Sequence, residues 1–125
     1  MPHAIGAKIW AIPGSNIPLG QQGREPEFTS HDSLWMLNTT DDDAQIEITI
    51  YYADREPVGP YPLSLDARRV RQIRFNDLID PQAIELETDY AAVLESTVPI
   101  VVQFTQMDTR QAENSRTISL GYPAT

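Results

Sequence analysis

Apolar and polar residues alternate strictly over residues 46–52. Ile46, Ile48, Ile50 and Tyr52 fall on one face, and Glu47, Thr49 and Tyr51 on the other. A period of two is what a strand with one buried face requires. Residues 98–105 repeat it, with Val98, Ile100, Val102 and Phe104 opposite Val101, Gln103 and Thr105. Pro99 has no N–H to give to a ladder, so it is expected at the start of that strand or on a sheet edge. Weaker patterns predict strands at 8–12, 34–38, 70–75 and 117–122. Residues 90–95 carry a helical spacing in Tyr90, Val93 and Leu94, yet we read them as a strand, with Ser96-Thr97 able to close a hairpin into Val98. The polar run 38–43 reads as a turn. Asp80-Pro81 has the chemistry of a helix start for one turn at most.

Ten prolines and six glycines punctuate the chain, with no repeat or low-complexity tract. Many short strands with regular turn signals predict an all-β protein, an antiparallel sandwich or barrel-like single domain over residues 1–125. At 125 residues such a domain can bury a core without a disulfide or metal. With no cysteine present, disulfides, CxxC redox chemistry and thiolate zinc sites are excluded, and the composition fits a reducing cytoplasm. The apolar run near the start is broken by Gly6, Pro13 and Gly14, too short for a signal segment. No 18-residue apolar span occurs, so the chain is expected not to insert in a membrane.

Charge narrows the partners. Eighteen acids against one lysine and eight arginines give a net charge of −9, which disfavours general nucleic-acid binding. Four arginines, Arg68, Arg69, Arg71 and Arg74, are concentrated in one segment and provide what local basic footprint there is. As a strand, this segment places Arg68, Val70, Gln72 and Arg74 opposite Arg69, Arg71, Ile73 and Phe75. Neither face is apolar, so an edge or bulged position is expected. The arginines could pair with Asp66, Asp77 or Asp80, or could clamp an anionic group by fork geometry.

Catalytic motifs are lacking. Contiguous Ser30-His31-Asp32 cannot form a relay in extended chain, because neighbours point to opposite faces. The acidic run 41–43 has neither the glycine nor the final glutamate of a calcium loop, and no metal or cofactor site is expected. Gln103 and Thr105 share a strand face ahead of Asp108, Arg110, Gln111 and Asn114. That cluster could hydrogen-bond a polyol or satisfy itself. Trp10, Trp35 and the tyrosines are expected in the core or at subunit contacts, with Tyr51 the most exposed.

Several phrases in order resemble the sensory rhodopsin transducer family. They are Glu25-Pro26, Phe28, Ser30-His31, Leu37-Asn38, ITIYY at 48–52, EPVGPY, Ala67-Arg68-Arg69, RFNDL, Asp80-Pro81, VPIVVQ and RQAEN. The resemblance runs over nearly the whole chain. It implies a cytoplasmic, non-enzymatic antiparallel β-sandwich that assembles as a homotetramer and meets the cytoplasmic face of a microbial rhodopsin or another protein. It also implies likeness to carbohydrate-binding sandwiches, hence a sugar, polyol or sugar acid as the alternative ligand. His31, Arg69, Asn76, Asp77, Asp108 and Arg110 match the family pattern and, with Gln103 and Thr105, are the candidate site residues. Gln72 and Phe104 stand where histidines are usual, and Gln106 where an arginine is, which removes those groups from any contact made there.

Overall fold

The computed structural model describes residues 5–15, 17, 31–85, 88–108 and 115–124. Eight antiparallel strands form it: β1 (Ala7–Ser15), β2 (His31–Asn38), β3 (Ala44–Tyr52), β4 (Val58–Leu65), β5 (Arg69–Arg74), β6 (Tyr90–Asp108), β7 (Ser115–Leu120) and β8 (Tyr122–Pro123). Among the described residues the helical content is one 3-10 turn, Phe75–Asp77. The all-β sandwich expected from the alternation is the fold.

Its organising element is β6, a single strand of 19 residues. The first half of β6 pairs with β1 and β3, and these extend to β8 and β4. The second half pairs with β2 and β7, and β2 carries β5 at its far side. Two half-sheets therefore share one strand and fold over a common core. The predicted strand at 98–105 and the ambiguous stretch 90–95 are one continuous element, with no hairpin at Ser96-Thr97.

Pro99 lies inside β6 rather than at its start or on an edge, which corrects the expectation. The reason is local. The β3 ladder ends at Ser96, the β2 ladder ends at Val101, and the β1 register shifts between Ala7 and Ile9. Pro99 occupies the interval where pairing is handed from one half-sheet to the other, so its missing N–H costs little.

Alternation predicts the core well. Ile46, Ile48 and Ile50 of β3 are buried against Leu34 and Met36 of β2 and Ile100, Val102 and Phe104 of β6. Phe75 closes one end, its ring 5.5 Å from that of Tyr90 and 6.2 Å from that of Phe104. Trp10 buries its ring and donates its indole N–H to the carbonyls of Ala7 (3.0 Å) and Ile100 (2.9 Å). That approach needs Gly6: its φ is +97°, and an added Cβ would stand 2.0 Å from the Ile100 carbonyl oxygen.

Strand β4, which contains Pro60 and Pro62, is not among the strands that the alternation predicts. It is an edge strand, hydrogen-bonded to β3 alone, with Pro60 at a register shift, and both are positions where proline is tolerated. Around Asp80-Pro81 no helix forms, and the peptide bond there is cis. The helical turn comes earlier, where β5 ends and Phe75 turns into the core.

Candidate functional site

The arginine segment forms the turn and edge strand that the mixed faces predict. Ala67 and Arg68 turn the chain, Arg68 taking a φ of 54°, and β5 follows, hydrogen-bonded to β2 on one side. Register puts Arg69, Arg71 and Ile73 opposite Asn38, Met36 and Leu34, on the core-facing side. Val70, Gln72 and Arg74 lie opposite Leu37, Trp35 and Ser33, on the outer side. Because β5 is at the edge, Arg69 and Arg71 leave the core and are exposed. Arg71 Nη1 donates to the Ser64 carbonyl of β4 at 2.5 Å, and Arg69 Nη1 to the Arg68 carbonyl at 3.1 Å. Arg68 pairs with Asp41 across solvent at 3.1 Å. Among the described residues neither Arg69 nor Arg71 meets a carboxylate, so pairing of these two with Asp66, Asp77 or Asp80 does not form.

The turn itself is pinned from β2. Asn38 is fully buried. Its amide donates to the carbonyls of Asp42 (2.8 Å), Leu65 (3.3 Å) and Asp66 (3.4 Å), and its oxygen accepts from the Thr40 N–H at 2.9 Å. One side chain thus satisfies both the β2–β3 turn and the β4–β5 turn. Asp43 Oδ1 adds a bond from the Ala67 N–H at 2.8 Å.

At the other end of β2 sits a buried polar cluster. Asp32 is fully buried and accepts the Tyr90 hydroxyl at 2.5 Å, while its own N–H donates to Asn76 Oδ1 at 3.4 Å. Asp32 therefore ties β2 to β6 and to the 3-10 turn in the interior. The signal was present in the alternation, since the buried Leu34 and Met36 extend back by two to Asp32.

The outer face of the β5–β2–β6 half-sheet combines both characters. Trp35 stays 42% exposed, Leu37 37% and Val70 60%, and the last two are direct cross-strand partners. Leu37 also pairs with Val101, and Trp35 lies between Gln72 and Gln103. Further along, Ser33 pairs with Thr105, both are buried, and among the described residues the Ser33 hydroxyl has no hydrogen-bond partner.

The candidate residues therefore separate. His31 opens β2 opposite Met107, Asp108 ends β6 opposite Ser115, and Thr105, Asn76 and Asp77 belong to the same end of the half-sheet. Gln103 is one step in, beside Trp35. Arg69 is at the opposite end of β5, five residues from Arg74 and thus roughly 17 Å away along the strand. Arg110, Gln111, Asn114 and Ser30 lie outside the described residues. Phe104 is a core residue packed on Phe75, whereas Gln72 faces solvent beside Trp35.

Arg55, in the β3–β4 connection, bonds Asp54 (2.9 Å) and Glu85 (2.6 Å) and lies over the Tyr52 ring at 4.7 Å. The guanidinium holds both carboxyls below their ordinary range. Burial pushes the Tyr61 phenol up, and its hydroxyl donates to the Gln82 carbonyl at 2.6 Å. Among the described residues no helix is long and apolar enough to cross a membrane.

The family model described as Anabaena sensory rhodopsin transducer matches residues 5–123. A solved structure of the Anabaena sensory rhodopsin transducer is 52% identical, covers 82% of this chain and 99% of its own, and superposes with a TM-score of 0.75. A crystal structure of Thermotoga maritima 1070 is 30% identical, with coverage of 94% and 95% and a TM-score of 0.81. No curated protein sequence matches the chain.

Proposed function

Given that the chain belongs to the Anabaena sensory rhodopsin transducer family, we propose that it is a cytoplasmic, non-enzymatic signalling adaptor. It assembles as a homotetramer and binds the cytoplasmic face of a microbial rhodopsin or another protein. The observation that carries this reading is the exposed pair Trp35 and Leu37, an apolar stripe on the outer face of β2. Contiguous apolar surface of this kind marks a protein contact, and we assign it to a second copy of the chain. The net charge of −9 leaves the remaining surface suited to the Lys/Arg-rich cytoplasmic loops of membrane proteins.

Sedimentation of the wild type beside Trp35→Lys tests the assembly. The expected result is a tetramer that dissociates to a smaller species in the variant with its thermal transition retained. A wild type that sediments as a monomer contradicts the reading.

A second reading is favoured by the buried, unpaired Ser33 hydroxyl beside Thr105 and Gln103. It is a small site for a sugar or polyol at that end of the half-sheet, with Arg69 too distant to contribute. At a ligand concentration about 100 times the dissociation constant, binding stabilises by about 2.7 kcal/mol. A thermal shift with polyols that Thr105→Val abolishes is its expected signature, and no shift at millimolar concentration contradicts it.

A further inference from the structure

Among the described residues, strand β5 is a sheet edge: it pairs with β2 on one side and with no described strand on the other, and residues 69–72 are all exposed. Alternate N–H and C=O groups along an unpaired strand side are a template for one more strand. Two clefts follow this edge and meet at Arg71. One, of about 370 Å³, lies between Ser64–Asp66 and Arg69–Arg71, and the other, of about 360 Å³, between Arg71–Arg74 and the start of the segment after the 3-10 turn. Arg69 and Arg71 project on one side of the strand, bonded to carbonyls and to no described carboxylate, with most of their N–H donors unused. Val70 and Gln72 are exposed on the other side.

We propose that the β5 edge docks an acidic, extended segment of a different protein, which joins the sheet as an added strand. Residues paired across neighbouring strands share a face. A docked segment would therefore place carboxylates two residues apart against Arg69 and Arg71, and an apolar side chain beside Val70. The recognised chemistry is thus an alternation of acidic and apolar residues over about six positions, the length of β5. A second copy of β5 is the wrong occupant, because edge-to-edge pairing would bring arginines against arginines. Such like-charge contact disfavours self-association while admitting an acidic strand. The site is separate from the acidic surface proposed for a receptor's basic loops, and gives the protein two contact regions of opposite sign.

The test uses a short fluorescent peptide of alternating glutamate and valine, a lysine-for-glutamate counterpart, and two acidic peptides N-methylated at alternate positions in either register. The full-length protein should bind the acidic peptide and not the basic one. Slowed amide exchange should appear over Arg69–Arg74 and not over β4. The Arg69→Glu, Arg71→Glu double variant, with an unchanged melting temperature, should bind at least tenfold more weakly. One N-methylated register should lose binding to a similar extent. Equal binding of both N-methylated peptides overturns strand addition, equal binding by the double variant overturns the location, and absence of acidic-peptide binding overturns the proposal outright. None of these outcomes depends on the oligomeric state or on a receptor, so they separate from failure of the adaptor reading.

Discussion

Strands β4 and β5 are both edges, and they lie side by side. They are joined by the Ala67-Arg68 turn and by the Arg71–Ser64 hydrogen bond. β4 carries prolines at positions 60 and 62 and buries Tyr61 and Leu65. β5 buries none of its own residues and carries arginines at 69, 71 and 74. Proline removes backbone donors at positions 60 and 62, so β4 is a poor template for an additional strand of either charge. Charge leaves the donors in place and rejects strands by sign, so β5 is closed to its own kind and open to acids. Edge protection by proline is indifferent to charge, and edge protection by arginine is selective.

The strongest way to break this contrast is to release both edges together. Asn38→Leu removes the amide that satisfies the Asp42, Leu65 and Asp66 carbonyls, leaving buried polar groups without their bonds. Urea unfolding should show a loss of about 3 kcal/mol. A smaller loss acts on β4 alone. Tyr61→Phe deletes the bond to the Gln82 carbonyl and should cost about 1 kcal/mol. Burial raises the pKa of the Tyr61 phenol above its ordinary value of 10.0, so the protonated form is favoured in the folded state. Its contribution is complete below pH 10 and is lost as pH rises through the folded value. Tyr61→Phe should therefore flatten the alkaline limb of the stability profile, measured by thermal melts above pH 10.

On β5, Arg69→Val with Arg71→Val should change stability by less than about 0.5 kcal/mol, since the groups are exposed. It should also induce concentration-dependent association by light scattering, whereas Ser64→Val on β4 should not. The smallest effect sharpens the β4 side. Arg55 depresses the carboxyls of Glu85 and Asp54 below their ordinary values of 4.5 and 3.8, so its contribution is present above pH 4.5 and fades as pH falls through the depressed values. Arg55→Ala should make the melting temperature less steeply dependent on pH in that acid range. These exposed pairs place the effect below the others.

How much of this was legible in the sequence follows from which forces act locally. A period of two marked β3 and the second half of β6, because a half-buried strand imposes its pattern on consecutive residues, whereas the first half of β6 carried a helical spacing in Tyr90, Val93 and Leu94. The edge position of β5 was legible in its mixed faces. β4 was hidden by Pro60 and Pro62, whose turn chemistry outweighs the apolar positions at Tyr61, Leu63 and Leu65 unless the strand is known to be an edge. Pro99 misled for a related reason. It is tolerated inside β6 only because three other ladders end or shift around it, a fact of topology that no window of sequence contains. The candidate residues were chosen by resemblance to the family and, for Gln103 and Thr105, by a shared strand face, and pairing register then separated Arg69 from Thr105 and joined Asp32 to Tyr90 across 58 positions. Nearest neighbours in a shared sheet are set by register, not by sequence distance.

The adaptor role itself is tested most directly by titrating the protein into a microbial sensory rhodopsin held in nanodiscs, at low and at physiological salt. The account predicts saturable binding that weakens as salt rises and is not weakened by the Arg69→Glu, Arg71→Glu double variant, because in this account the receptor meets the acidic surface and not the β5 edge. Binding that is absent at low salt, or indifferent to salt, contradicts it.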